Sequence, residues 1–378
     1  MPTRLWSRFV ERPSAWFWRR VATVADMPGA SLGLFRWVFG LYLLLLELPS
    51  WSWLHRVPVA LFDPPPLSPA ALVPSFPGAP FFAVLDVLLV VCLCAVIVGY
   101  RTRAFTAAYL ALVLVGTNFN YCFGKIDHGS VLSSALLAGM AWADWGRYYS
   151  VDSLLREPER EPGRARTSKR ALSLFAAVLA FGMLTAGLPK AWSWIDFDLG
   201  TSGFLAWYYP NRESLGRDYL LAPLVPQTPL LALELADYVG ASFEMLGIFA
   251  LVSTRRLWRG WLMIAALFHL ANAAALNIAF TQQALVYAVF ADLSRLAPPL
   301  PRPEALRRAL RWLVPGVCAL GALRVGLRLE GIGTAAFFTT SPERDDFAGL
   351  LLALPGCALA AGLLAYSAFK EPRSDFSR

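Results

Sequence analysis

Long apolar runs separated by short polar stretches dominate this chain. Each run is about 20 residues long, the length that an α-helix needs to cross a bilayer with its backbone hydrogen bonds satisfied internally. The pair of runs within 257–296 contains several Asn and Gln residues, so a single bent or re-entrant hairpin is the alternative there. The pattern predicts ten spans, at residues 30–50, 79–99, 104–121, 128–146, 169–189, 229–253, 257–276, 280–296, 307–327 and 347–368.

The predicted fold is all-α, a polytopic integral membrane helical bundle with about 8–10 transmembrane helices. The chain divides into a cytoplasmic N-terminal segment (1–29), a transmembrane domain (30–296), and a C-terminal helical hairpin with a short cytoplasmic tail (297–378). Composition supports this class, since 57% of the 378 residues are hydrophobic and 16% are charged. A soluble domain carries about 25% charged residues, so a soluble enzyme is excluded.

The net charge of +8 predicts orientation rather than a nucleic-acid partner. The basic residues lie in short clusters between apolar runs and form no single basic face. With the N-terminus in the cytoplasm, 25 Lys and Arg residues fall on the cytoplasmic side and eight on the opposite side. This bias predicts that both termini are cytoplasmic and that the lipid bilayer is the main partner.

Ionisable side chains inside the spans are the first candidates for function, because each costs at least about 2.5–3.5 kcal/mol to insert. We expect Arg36 and Asp144 to form an ion pair between helices. Asp86, Glu47 and Glu234 lie nearer the outer edge, where their carboxylates can reach the interface. The full set is Arg36, Glu47, Asp86, His128, Asp144, Glu234, Asp237, Glu244 and His269.

One lysine and two histidines are predicted to lie at one depth in the outer half of the bilayer. Lys190 closes the fifth span, His128 begins the fourth, and His269 lies about 12 residues into the seventh, near or past mid-bilayer. Glu244 is also deep in its span. A lysine beside an apolar wall loses solvation of its charge and is a plausible base. A hydrogen bond between helices is the alternative role for either histidine.

Three blocks resemble, in the same order, the transmembrane half of the vitamin K-dependent gamma-carboxylases and their bacterial relatives, the HTTM proteins. The first block runs from Asp127-His128-Gly129 to Tyr148-Tyr149-Ser150-Val151-Asp152-Ser153-Leu154-Leu155. The second is Ala186-Gly187-Leu188-Pro189-Lys190, and the third is Phe268-His269-Leu270-Ala271-Asn272. Together they cover roughly residues 30–296.

The resemblance implies a chemistry and a role for each matching residue. Lys190 matches the lysine that acts as the base on vitamin K hydroquinone. In the carboxylases, oxygen then adds to the deprotonated quinol and a strong base forms. This base removes a proton from the gamma carbon of a glutamate, and that carbon attacks carbon dioxide. His128 matches the histidine of the carboxylation half. We expect His269, Asn272, Asp127 and Glu244 to contact the substrate or quinone. The implied cofactors are a reduced quinone, O2 and CO2, and no metal is predicted.

Departures from the carboxylase pattern leave the substrate open. Asp127 replaces an Asn, Pro189 replaces a Lys, and the residues after 296 contain no counterpart of the large lumenal domain that binds propeptides. A quinone or lipid-like small molecule is therefore the expected partner, and a protein or peptide substrate stays open. The alternatives are a membrane transporter, which needs a polar route open to both sides, and a non-catalytic membrane subunit, in which the candidate residues point to separate places.

Overall fold

A computed structural model describes residues 12–124, 130–156, 169–198, 200–278, 285–296, 302–330 and 345–369. All regular elements in these ranges are helical, which confirms the predicted all-α fold. The main helices are α1 (Arg12–Val24), α2 (Gly29–Leu45), α3 (Ala79–Val98), α4 (Thr102–Asn120), α5 (Val131–Ala143), α6 (Val151–Leu155), α7 (Lys169–Trp194), α8 (Gly203–Leu215), α9 (Leu230–Leu251), α10 (Arg255–Leu276), α11 (Pro303–Leu329) and α12 (Asp345–Phe369).

Five of these helices, α3, α4, α7, α10 and α11, are long and apolar enough to cross a membrane. Helices α2 and α5 are apolar but shorter. Helix α9 has 22 residues, and its three carboxylates interrupt an otherwise apolar sequence. The chain is therefore an integral membrane protein.

The predicted span at 280–296 is wrong in its described part, residues 285–296. Two 3-10 turns, Tyr287–Phe290 and Leu293–Arg295, replace a crossing helix there. Helix α10 stops because Asn277 adopts a left-handed conformation and its side-chain amide donates to the Ala273 carbonyl at 3.2 Å. A side chain that occupies a helical carbonyl competes with the continuing backbone hydrogen bonds.

The chain forms two compact units, one of which comprises Met27–Ser168 and Asp292–Asp345. In this unit α4 packs against α3 and α5, and α11 packs against α3. The Cys94 thiol of α3 donates to the Val317 carbonyl of α11 at 3.6 Å, which fits a packing role for this cysteine. All five cysteines of the chain are free.

A network around Asp152 joins α3, α4 and α6 in this unit. The Asp152 carboxylate accepts hydrogen bonds from the backbone N–H groups of Arg101 and Thr102, at 2.7 and 2.8 Å, and from the Thr102 hydroxyl at 2.7 Å. It thereby satisfies amides at the start of α4, where a negative charge is favourable. Ser150 caps α6 in a reciprocal capping box with Ser153.

The expected ion pair between Arg36 and Asp144 is not formed. Arg36 is fully buried, and its Nη2 donates to the carbonyl of Tyr149 at 2.6 Å. Asp144, in a left-handed conformation after α5, binds Arg156 instead at 2.8 Å. The turn after α5 brings Arg156 close to Asp144. Arg36 instead donates to the Tyr149 carbonyl, because a carbonyl that is buried away from water needs a hydrogen-bond partner.

The carboxylates of Asp86 and Glu234 are enclosed by the protein, since only 4% of Asp86 and 1% of Glu234 are exposed. The Asp86 carboxylate accepts hydrogen bonds from the hydroxyls of Ser50 and Ser52 and from the backbone N–H of Trp51 at 2.8 Å. These contacts attach the segment after α2 to α3, because a buried carboxylate is stable only when its oxygens are hydrogen-bonded.

The other unit comprises Met1–Asp26, Lys169–Ala291 and Asp346–Arg378. Its most extensive helix contact is between α7 and α9. The helix α1, unexpected from the sequence, is attached to the start of α10 by Arg255, which donates to the Asp26 carboxylate at 2.9 Å. This unit contains Lys190, Glu244 and His269.

Replacing Asp152 with Ala should weaken the first unit, because two backbone amides and a hydroxyl at the start of α4 lose their acceptor. We expect a loss of about 1–2 kcal/mol in the free energy of unfolding. Thermal unfolding of the purified protein in detergent measures it, with Glu213→Ala on the exposed side of α8 as the control. Equal midpoints for the two variants would contradict this role of Asp152.

Candidate functional site

The site is built on a close contact between α7 and α9 that depends on Gly187. A Cβ at this position would lie 2.9 Å from the Glu244 Cβ and 3.1 Å from the backbone nitrogen of Met245. Such distances are too short for an ordinary carbon contact, so only glycine permits this helix separation. Lys190, one turn after Gly187, consequently faces α9 at the level of Glu244.

Lys190 and Glu244 form an ion pair between the two helices. The Lys190 Nζ donates to the Glu244 Oε1 at 2.5 Å, and the side chains are 23% and 5% exposed. Glu244 lies just past the middle of α9, and α7 continues four residues beyond Lys190. Lys190 is thus inside a helix and opposite the middle of another, whereas the sequence predicted that it closes the fifth span. Proline is tolerated within membrane helices, so Pro189 does not end α7.

Aromatic rings form the walls around the lysine head group. The Lys190 Nζ lies 5.4 Å from the ring centre of Trp194 and 6.0 Å from that of Phe268. Both are within the range of cation–π attraction. A Cβ on Gly203, at the start of α8, would lie 2.2 Å from the Trp194 ring, so this glycine allows the indole to pack closely.

His269 of α10 forms the second polar pair of the site with Tyr287. The His269 Nε2 and the Tyr287 Oη are 2.7 Å apart, and their rings stack with centres 5.8 Å apart. The turn holding Tyr287 is fixed by Arg259, whose Nε donates to the Phe290 carbonyl at 2.8 Å. Both rings are buried, so the pair is rigid and shielded from water.

The two polar pairs of the site meet at the ring of Phe268. The centre of this ring lies 6.0 Å from the Lys190 Nζ. Phe268, adjacent to His269 in α10, lies between them with its ring 5.8 Å from the imidazole. Three helices and one turn therefore bring an amine, a carboxylate, an imidazole and a phenol together.

The remaining predicted residues are placed differently. Asn272, one turn after His269, is half-buried, and its backbone carbonyl accepts the N–H of Asn277 at the end of α10. Asp127 and His128 lie outside the described residues. The structure thus brings together Lys190, Glu244 and His269 from the predicted set.

This cluster can hold and move a proton. Glu244 Oε1 is bound by the ammonium group, while Oε2 is buried and has no hydrogen-bond partner in the described part of the chain. A carboxylate with one free oxygen can accept a proton from the adjacent amine or a hydrogen bond from a ligand. Within the described ranges, no group of three or more His, Cys, Asp and Glu side chains could hold a metal ion.

A separate apolar cavity of about 460 Å³ lies in the unit built on α3 and α4. It is lined by residues 69–77 of the segment before α3 and by residues near the ends of both helices. Asn118 and Ser75 are its polar lining residues. The cavity has the size of a ligand site but no acid or base to perform chemistry.

Comparison of the chain with protein-family models, with curated proteins and with solved structures found no match. The resemblance to the carboxylases therefore rests on its three sequence blocks.

Sequence reasoning missed Tyr287, Trp194 and the contact made by Gly187. Tyr287 was assigned to a crossing helix, which concealed its approach to His269. The spacing of Gly187 and Lys190 was a usable signal, because residues three apart share a helix face. A glycine on the face of a buried lysine indicates a close neighbouring helix.

Replacing Gly187 with Ala should push α7 away from α9 and lengthen the contact between Lys190 and Glu244. Overpacking of this kind costs about 1–3 kcal/mol. The matched control is Gly182→Ala in the same helix, where an added Cβ meets nothing within 4 Å. That change should be neutral or stabilising by up to about 1 kcal/mol. Unfolding midpoints of both variants in detergent test the contact, and equal destabilisation of both would refute it.

Proposed function

We propose that this protein is a membrane enzyme in which Lys190 acts as the base on a quinol-type or lipid-like substrate. The proposal joins the resemblance to the vitamin K-dependent gamma-carboxylases with one observation. The lysine of the second resembling block is held 2.5 Å from a buried glutamate, within a cluster that also contains the histidine of the third block.

The Lys190–Glu244 pair supports a role in proton transfer. Taking two charges out of water is costly, and breaking such a pair leaves an uncompensated buried charge. When the proton moves from the Lys190 Nζ to the Glu244 carboxylate, both groups become neutral. Lys190 is then a free amine, the form required of a base. The hydrogen bond of 2.5 Å provides the path for that transfer.

The residues around the pair fit a flat aromatic substrate with hydroxyl groups. Trp194 and Phe268 offer apolar faces beside the lysine, and the free Glu244 Oε2 can accept a hydrogen bond from a hydroxyl. A quinol, when bound, supplies an acidic hydroxyl and reducing electrons. Lys190 would take that proton, while the aromatic rings exclude water from the amine.

His269 and Tyr287 are suited to positioning rather than proton removal. The 2.7 Å hydrogen bond fixes both rings, and their burial keeps the pair in one arrangement. A rigid polar pair next to the base can orient a bound ligand. Glu244 acts through Lys190: its carboxylate holds the lysine ammonium group and can accept the proton of that group.

The arrangement favours an enzyme over a non-catalytic membrane subunit. A scaffold does not require the residues of different resembling blocks to lie close together. Lys190 and His269 nevertheless both lie beside the Phe268 ring. The glutamyl carboxylation step is the part of the proposal that depends on the resemblance alone. Proton removal from a quinol is the part that the Lys190 site itself supports.

Lys190→Ala should abolish turnover, and because it leaves the buried Glu244 carboxylate without its cation it should also lower the unfolding temperature. The assay supplies the purified protein in detergent with a reduced quinone and O2, with and without CO2 and a glutamyl peptide. Loss of a proton-transferring group reduces the rate by about 100-fold or more. Oxidation of the quinol is followed by absorbance, and carboxylation by mass spectrometry.

Lys190→Arg is the informative control for that experiment. Arginine keeps the positive charge and can still bind Glu244, but it does not lose a proton at ordinary pH. A catalytic base predicts that the Lys190→Arg variant is inactive, whereas a purely structural ion pair predicts retained turnover. Quinol oxidation that is absent in the wild type, or unchanged in Lys190→Ala, would overturn the proposal.

A further inference from the structure

A polar stripe runs along the buried face of α9 from Glu244 toward the start of the helix. Glu234, Asp237, Ala241 and Glu244 are spaced three, four and three residues apart, so they share one face. All four are buried. Three carboxyl groups on the interior face of a membrane helix are costly, which points to a role beyond packing.

Glu234 is the member of the stripe that the fold does not explain. It is 1% exposed, and the phenol of Tyr238, which accepts the backbone N–H of Phe197 at 3.0 Å, is the neighbouring group that can donate to it. One hydroxyl can serve only one carboxyl oxygen, so the other oxygen is left unpaired among the described residues. A buried polar group without a partner costs about 1–3 kcal/mol, so its presence needs a functional reason.

Asp237 links this group to the site. Its carboxylate accepts hydrogen bonds from the Ser202 hydroxyl at 2.9 Å and from the backbone N–H of Phe204 at 2.8 Å. It therefore holds the start of α8, whose Gly203 packs against Trp194 beside Lys190. Along the helix axis Asp237 is about 4.5 Å from Glu234 and about 10 Å from Glu244.

A base held between two membrane helices has to exchange its proton with water. Lys190 lies opposite the middle of α9, while the polar stripe leads toward Leu230, where that helix begins. We propose that Asp237 and Glu234 carry protons between the Lys190–Glu244 pair and water at the Leu230 end of α9. This inference rests on the proposed function, since it gives the proton removed by Lys190 a way out.

The route consists of proton transfers only, with nothing oxidised or reduced. The Lys190 ammonium gives its proton to the Glu244 carboxylate, which becomes a carboxylic acid. The proton then passes to Asp237, to Glu234 and finally to water, and each donor returns to its carboxylate form. The distance of about 10 Å along the helix axis between Glu244 and Asp237 requires a chain of two or three water molecules beside the small side chain of Ala241.

Hydrogen–deuterium exchange of the Glu244 carboxyl tests the route without any substrate. In a Lys190→Met background, Glu244 loses its cation and is held as a neutral acid by burial. Its carbonyl infrared band is identified by its loss in Glu244→Gln. After mixing the purified full-length protein with D2O, we expect Glu234→Gln and Asp237→Asn to slow the shift of this band by about tenfold.

Two control variants separate a route from general damage. Glu234→Asp keeps a carboxyl and should restore most of the exchange rate. Glu213→Gln removes an exposed carboxyl of α8 and should leave the rate unchanged. Equal rates in Glu234→Gln and Glu213→Gln would overturn the inference. If the Lys190→Met protein does not fold, the same comparison is made in a Lys190→Gln background, which also removes the charge but keeps a hydrogen-bond donor for Glu244.

The exchange result and the turnover result are independent of each other. Exchange that depends on Glu234 in a protein without quinol turnover supports the route and refutes the proposed function. Turnover that depends on Lys190, with exchange indifferent to Glu234, supports the function and refutes the route.

Discussion

The Lys190–Glu244 ion pair is the interaction on which the arrangement of the second unit depends. The Glu244 carboxylate is buried and the Lys190 ammonium is half-buried, so either charge alone between α7 and α9 would be poorly compensated. Their contact in turn requires the short helix separation that Gly187 permits. Close packing and charge pairing therefore support each other, since a wider gap would admit solvent or leave both charges unpaired.

Polar side chains in this protein repeatedly satisfy backbone groups at helix ends. Asp152 accepts the first amides of α4, Asp237 accepts an amide at the start of α8, and Asn277 occupies carbonyls at the end of α10. Arg36 and Arg259 donate to the carbonyls of Tyr149 and Phe290. An apolar surrounding offers no water to these groups, so side chains must supply the missing partners. Several charged residues of the described helices are explained in this way, whereas Lys190, Glu244 and Glu234 are not.

The sequence predicted the all-α class and most of the long helices because apolar runs of that length have few other structures available to them. It failed at residues 285–296, where an apolar run is buried against other protein and folds into 3-10 turns. Hydropathy does not distinguish burial in protein from burial in lipid. The sequence also named Lys190, Glu244 and His269, but their contacts join residues far apart in the chain, and only the fold sets those distances. The Arg36–Asp144 pair failed for the same reason.

The blocks that carry the resemblance differ in what they do in the structure. In the first block, Ser150, Asp152 and Ser153 cap α4 and α6, so the structure accounts for them by helix capping alone. In the second and third blocks, Gly187, Lys190 and His269 build a polar cluster that helix capping does not require. The chemical content of the resemblance therefore lies in these two blocks.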